Sequence, residues 1–190
     1  MRRMTRGLAT IIVTLAASPA WAHPGHGAGD VLSGMLHPLL GIDHLLVMVA
    51  VGIWAVQLGA RAVWMVPLAF VGAMAGGAAL GYAGFGISIS EPLIALSVLI
   101  CGLLLVTACK LPALHGAGMV GCFALLHGAV HAGETAAGVV PLTFMTGVLA
   151  ATVLLHILGA AIAALLRSRV RFTGVPLIVS GVWLLGRALA

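Results

Sequence analysis

Six side chains in this sequence have the types and spacing to hold a divalent transition metal. His127, His131 and Glu134 stand together in H-G-A-V-H-A-G-E. On a helix, offsets of four and three residues bring them within roughly 60° of one another around the axis. His37, Asp43 and His44 form a second cluster in H-P-L-L-G-I-D-H. Imidazole nitrogen with carboxylate oxygen serves Ni²⁺, Co²⁺ or Zn²⁺, whereas Mg²⁺ or Ca²⁺ would ask for more oxygen ligands. Asp43 projects about 100° away from His44 on an ideal helix. That direction suits a partner that orients an imidazole, although direct ligation stays open. His37 precedes Pro38 and is expected at a helix N-terminus, where helical spacing no longer fixes its direction.

The elements that must position these groups are membrane helices. The chain is 62% hydrophobic and 7% charged, with four acidic residues in 190 and a mean hydropathy of +1.22. Such a composition reads as an all-α, polytopic membrane helical bundle without a separate soluble domain. The apolar–polar alternation of an outer-membrane barrel is missing from the pattern. The sequence pI of 10.1 does not signal nucleic-acid binding, because the basic residues lie at the N-terminus or flank apolar runs. Spans are expected at about 38–59, 62–82, 91–109, 114–133, 141–166 and 172–189. Together they make a single six-helix domain over residues 23–190. Within helix two, Gly72 and Gly76, then Gly77 and Gly81, repeat at four-residue spacing and are expected to let helix backbones approach closely.

Residues 1–22 read as a secretory signal peptide. Arg2, Arg3 and Arg6 precede the apolar run from Gly7 to Ala17, and Ala20-Trp21-Ala22 has the small-x-small cleavage pattern. Cleavage there would leave His23 first, with a free α-amine beside its imidazole and His26 three residues on. That segment could capture a metal, although Pro24 removes one amide nitrogen an amino-terminal chelate would use.

Loop charges then orient the bundle. Arg61, Lys110 and the trio Arg167, Arg169 and Arg171 fall in alternate connections, while the intervening loops carry no Lys or Arg. The positive-inside rule places the mature N-terminus outside and, after six spans, the C-terminus outside as well. His44 and His127 each then lie about 10 Å below the outer surface, at 1.5 Å of rise per residue. The two clusters therefore share a depth and are expected to form one site. Glu91 is expected near the same level, and with Asp30 it would attract cations. His156 lies deep in the fifth span and His115 begins the fourth; either could step an ion inward or be structural. Cys101, Cys109 and Cys122 have no ligand spacing and read as packing residues. Ionisable groups inside spans are costly and usually functional, so the set as a whole argues for a metal or proton pathway.

The two motifs resemble signatures of the HupE/UreJ family of hydrogenase and urease accessory proteins. H-P-L-L-G-I-D-H-L-L-V-M is similar to the family's H-P-x-x-G-x-D-H-x-x-x-M, using His37, Pro38, Gly41, Asp43, His44 and Met48. L-H-G-A-V-H-A-G-E is similar to F-H-G-x-A-H-G-x-E, with Leu126, Val130 and Ala132 as departures. The resemblance covers nearly the whole chain, including the H-P-G-H start after the signal peptide. It implies a secondary Ni²⁺ or Co²⁺ permease of the bacterial inner membrane that supplies hydrogenase or urease maturation. The ion would be cargo, with no permanently bound cofactor.

No Walker A motif is present, so transport would be secondary or coupled to a partner. The expected partners are the metal ion and the bilayer, with a second copy or a metallochaperone left open and no nucleic acid. An enzyme is not expected. The rival readings are an intramembrane zinc-dependent hydrolase and a non-transporting scaffold for metallocentre assembly.

Overall fold

The computed structural model describes residues 31–85, 90–135 and 139–190, and every regular element among them is helical. The signal-peptide, His23, His26 and Asp30 expectations lie outside the described residues. In chain order the helices are α1 (Val31–Leu40), α2 (Ile42–Leu58), α3 (Ala62–Tyr82), α4 (Ser90–Thr107), α5 (Ala113–Gly133), α6 (Pro141–Leu166) and α7 (Gly174–Ala188). A 3₁₀ segment, Arg167–Thr173, links α6 to α7.

Three described helical stretches are long and apolar enough to cross a membrane: α3, α5 and the run Pro141–Ala188. Counting α1 and α2 as one bent span makes four. The described part of α4, Glu91–Thr107, is apolar but shorter. Large apolar side chains such as Trp64, Leu68, Leu142 and Leu165 point outward, each more than two-thirds exposed. Lipid, rather than water, suits such a surface.

The first expected span differs from its sequence reading. Instead of one helix over 38–59, the chain folds into two helices bent by 87°. The break is at Gly41, whose backbone is extended (φ −82°, ψ 107°). His37 accordingly lies in the last turn of α1 rather than at a helix N-terminus. Pro38 suits a helix start because its missing N–H is harmless in a first turn. Here Pro38 is buried inside α1, and the apolar stretch Val31–Leu36 supplies the turns before it.

Glycine sets how closely the helices pair. A Cβ on Gly77 would strike the carbonyl of Leu125, and one on Gly128 would strike that of Met74, so α3 and α5 meet backbone to backbone. Gly34 and Gly147 do the same for α1 and α6, and Gly52 and Gly159 for α2 and α6. Gly102 and Gly174 join α4 to the start of α7. Small residues let backbones approach and gain dispersion contacts that lipid tails cannot match. The expected four-residue pattern is half realised. Gly77 and Gly81 pack against α5, whereas Gly72 and Gly76 face open space on the other side of α3.

The C-terminal ends of α2 and α4 are tied by polar contacts. The Trp54 indole N–H donates to the Cys109 carbonyl at 3.1 Å, the Gln57 amide donates to Leu105, and the Lys110 ammonium donates to the Gln57 carbonyl. A cation on the terminal carbonyls of α2 is placed where the helix dipole favours it. These pairings leave α5 facing the bend of α1 and α2, and the histidines fill that seam.

Candidate metal site

Each half of the seam is built from helical spacing. On α5, His127 and His131 are one turn apart, and Glu134 caps the helix immediately after its last residue. On the other side, the bend at Gly41 brings His37 of α1 back toward His44 of α2. Gly41 is needed there for space rather than for backbone freedom. A Cβ at that position would lie 3.0 Å from His44 Nδ1 and 3.2 Å from Asp43 Oδ1.

The expected clusters meet. The His44 ring lies 4.4 Å from that of His131 and 5.4 Å from that of His127, centroid to centroid. His37 lies 5.0 Å from His131 and 6.0 Å from His44. Its Nε2 is 2.9 Å from Glu134 Oε2, and the same carboxylate oxygen is 3.3 Å from His131 Nδ1. One ligand atom each from His37, His131 and Glu134 falls within 4.8 Å of the others, a spacing that a single ion could bridge. Burial works against ionisation of Glu134, but the His131 and His37 imidazoles beside it outweigh that penalty. The carboxyl is held well below the usual carboxylate range.

Hydrogen bonds fix which imidazole nitrogen is free. His127 Nδ1 faces the Phe123 carbonyl at 2.9 Å; a carbonyl only accepts, so Nδ1 carries the proton and Nε2 presents a lone pair. His44 Nδ1 donates to Asp43 Oδ1 at 2.7 Å, and the His44 backbone N–H donates to the same oxygen at 2.8 Å. Asp43 therefore orients the His44 ring, as its helical direction suggested. The remaining nitrogens, His44 Nε2, His127 Nε2 and His131 Nε2, are buried without a hydrogen-bond partner. Orphaned buried polar atoms are uncommon because each forfeits its hydration without replacement. A metal ion would satisfy several of them at once.

Exposure is graded along the set. The side chains of Glu134 and His37 are 40% and 30% exposed, while that of His131 is 0% exposed. The site thus has a partly exposed mouth at His37 and Glu134 and a buried end at His131. Glu91 is not drawn in: it is exposed at the start of α4, a helix that packs mainly against α7 and α2. His115 is exposed as well. His156 is buried on α6, apart from the mouth. Two aromatic neighbours were not anticipated from sequence. Phe144 lies 5.5 Å from His37, and Phe70 lies 6.1 Å from His127. Phenylalanine in an apolar span carries no pattern that marks it as a neighbour of a ligand.

Comparison with known proteins agrees with the motifs. The family model described as HupE / UreJ protein matches residues 11–184. The chain belongs to the HupE/UreJ family. Protein HupE of Rhizobium leguminosarum bv. viciae is 47% identical over 159 residues, covering 82% of this chain and 83% of that relative. No solved structure matches the chain. The HupE/UreJ match spans every described histidine, and with its apolar helices the chain is a membrane protein.

Proposed function

We propose that this protein is a secondary permease that carries Ni²⁺, with Co²⁺ as the lesser candidate, inward across the bacterial inner membrane. The metal would supply hydrogenase or urease maturation. The observation that carries the reading is the set of buried imidazole nitrogens with lone pairs and no partner, converging behind an exposed carboxylate. His37, His131 and Glu134 would take the ion first, replacing hydration waters. His44 and His127 would then receive it, with Asp43 holding the His44 ring. Family membership supports nickel over other borderline ions; the donor set alone suits several.

In this reading residues 1–22 are a cleaved signal peptide, and residues 23–190 form one domain of six spans with both mature termini outside. The bend at Gly41 suits a transporter, where broken helices line ion paths. Asp30 and Glu91 would raise the local cation concentration, and His23 with His26 would offer a separate point of capture.

Uptake of ⁶³Ni into proteoliposomes tests the proposal, with Co²⁺, Zn²⁺ and Mn²⁺ as competitors. Wild type is expected to accumulate nickel, and His44→Ala and His131→Ala to lose most of that uptake. Equal uptake by all three sinks the site assignment. A wild type that binds Zn²⁺ tightly yet moves no Ni²⁺ removes the permease reading in favour of a hydrolase.

A further inference from the structure

A fourth buried imidazole shares the condition of His44, His127 and His131 without belonging to their cluster. His156 is 3% exposed. Its Nδ1 donates to the Thr152 carbonyl at 2.6 Å, so Nε2 holds the lone pair, and that atom is buried with no partner. His127 has the same arrangement, with its Nδ1 on the Phe123 carbonyl. One aromatic ring touches both: Phe70, fully buried, lies 6.1 Å from His127 and 5.0 Å from His156.

A second thread leads from the outer cluster to the same place. Met48 follows His44 by one turn of α2, about 6 Å further along the helix. Its sulfur lies 3.4 Å from the Thr152 hydroxyl oxygen, which donates to the Val148 carbonyl at 2.8 Å, and Thr152 is the residue whose carbonyl holds His156. The backbones close tightly around this point, with Gly52 of α2 against the His156 carbonyl. No acidic side chain forms an ion pair with His156 among the described residues. Imidazole with a nearby thioether favours borderline and soft cations over Mg²⁺ or Ca²⁺. A single neutral nitrogen in so dry a place would hold a dication briefly, which suits passage rather than storage.

We infer that His156 is an inner station for the transported metal, reached from His127 past the Phe70 ring and flanked by the Met48 sulfur. The inference rests on the permease reading above. The step exchanges dative bonds only: the metal leaves Nε2 of His127 as it gains Nε2 of His156, and no proton need move.

The test uses the full chain in liposomes, with ⁶³Ni uptake and equilibrium ⁶³Ni binding in detergent measured side by side. His156→Gln keeps an amide donor for the Thr152 carbonyl but removes the ring nitrogen. Its uptake rate is expected to fall about tenfold, with half-saturation and outer-site binding unchanged. His156→Cys restores a metal ligand without the ring, and should recover part of the uptake while making Cd²⁺ a stronger competitor. Wild-type uptake by His156→Gln overturns the inference alone. So does His156→Cys at the level of the glutamine variant with an unaltered competition order, or a glutamine variant that loses outer-site binding and melting temperature together, since those results mark a structural residue. A wild type that moves no nickel overturns the permease reading, and this inference with it.

Discussion

Two kinds of helix contact coexist in this bundle, one lined by glycine and the other by histidine. Between α3 and α5 the backbones touch through Gly77 and Gly128, and between α2 and α6 through Gly52 and Gly159. Between α5 and the α1–α2 bend, imidazoles take up the space, and several of their nitrogens are unpaired. The first kind is optimised for packing, since every approach is as close as a backbone permits. The second is not, because buried nitrogens without partners weaken the fold they occupy. The difference separates the closely packed pairs, α3 with α5 and α1 and α2 with α6, from the histidine seam. The histidine seam between them is the part whose donor atoms could hold a metal ion.

The largest effect should come from breaking a glycine contact. Gly128→Leu would drive a side chain into the Met74 carbonyl, where no flexible neighbour can yield. Overpacking costs typically 1–3 kcal/mol and more where backbone must move, so folded protein recovered by size-exclusion chromatography should fall severalfold or vanish. Gly72→Leu is the matched control, because a Cβ there meets nothing within 4 Å. Equal losses for both variants would remove the distinction between packed and open glycines on α3.

The seam should behave in the opposite way. His131→Leu replaces the unpaired Nε2, and the Nδ1 that lies 3.3 Å from the partly exposed Glu134, with apolar atoms of similar bulk. The melting temperature should hold or rise, because an orphaned polar group disappears. Nickel uptake should fall on the order of 100-fold with the ligand gone. A marked drop in melting temperature would show His131 to be a packing residue after all.

Asp43→Asn probes the support of the seam. The carboxylate accepts both the ring and backbone N–H of His44, and asparagine can accept through its one carbonyl oxygen but carries no charge. Partners that orient a ligand typically affect metal affinity by about 10- to 100-fold when changed. Equilibrium binding should therefore weaken by less than in His131→Leu, with the protein still folded. Unaltered affinity would reduce Asp43 to a helix-terminal residue.

Much of this was legible in the residues, for reasons that differ from place to place. H-x-x-x-H and D-H are conspicuous because the surrounding spans are almost wholly apolar, and helical geometry fixes their direction. Their meeting is expected from alternating Arg and Lys in the loops, which predicts two antiparallel helices with the clusters at matched depth. The bend was not legible: Gly41 between apolar residues gives no sign of an 87° turn, and Pro38 suits the start of a helix as well as its end. Neither was the half-use of the Gly72–Gly81 pattern, since spacing specifies a face but not what covers it. Phe70 meets the histidines only through tertiary packing, and no local periodicity encodes that.

Gly41 lies where the two kinds of contact converge, and it supports the smallest and most discriminating prediction. Its backbone angles are open to any residue, so alanine would not strain the bend. Replacing glycine at such a position usually stabilises by about 0.4–1 kcal/mol, because the unfolded chain loses freedom. The added Cβ would nonetheless press on His44 Nδ1 at 3.0 Å and Asp43 Oδ1 at 3.2 Å. The pair would have to shift by a few tenths of an ångström, moving His44 Nε2 off its aim. Gly41→Ala should therefore melt at the same temperature or slightly higher, while nickel affinity by equilibrium dialysis falls a few-fold, well under the roughly 100-fold that a 1 Å misplacement can cost. Loss of stability with affinity intact would mean that Gly41 serves the bend and not the site, and would place the bend among the packing features of the bundle.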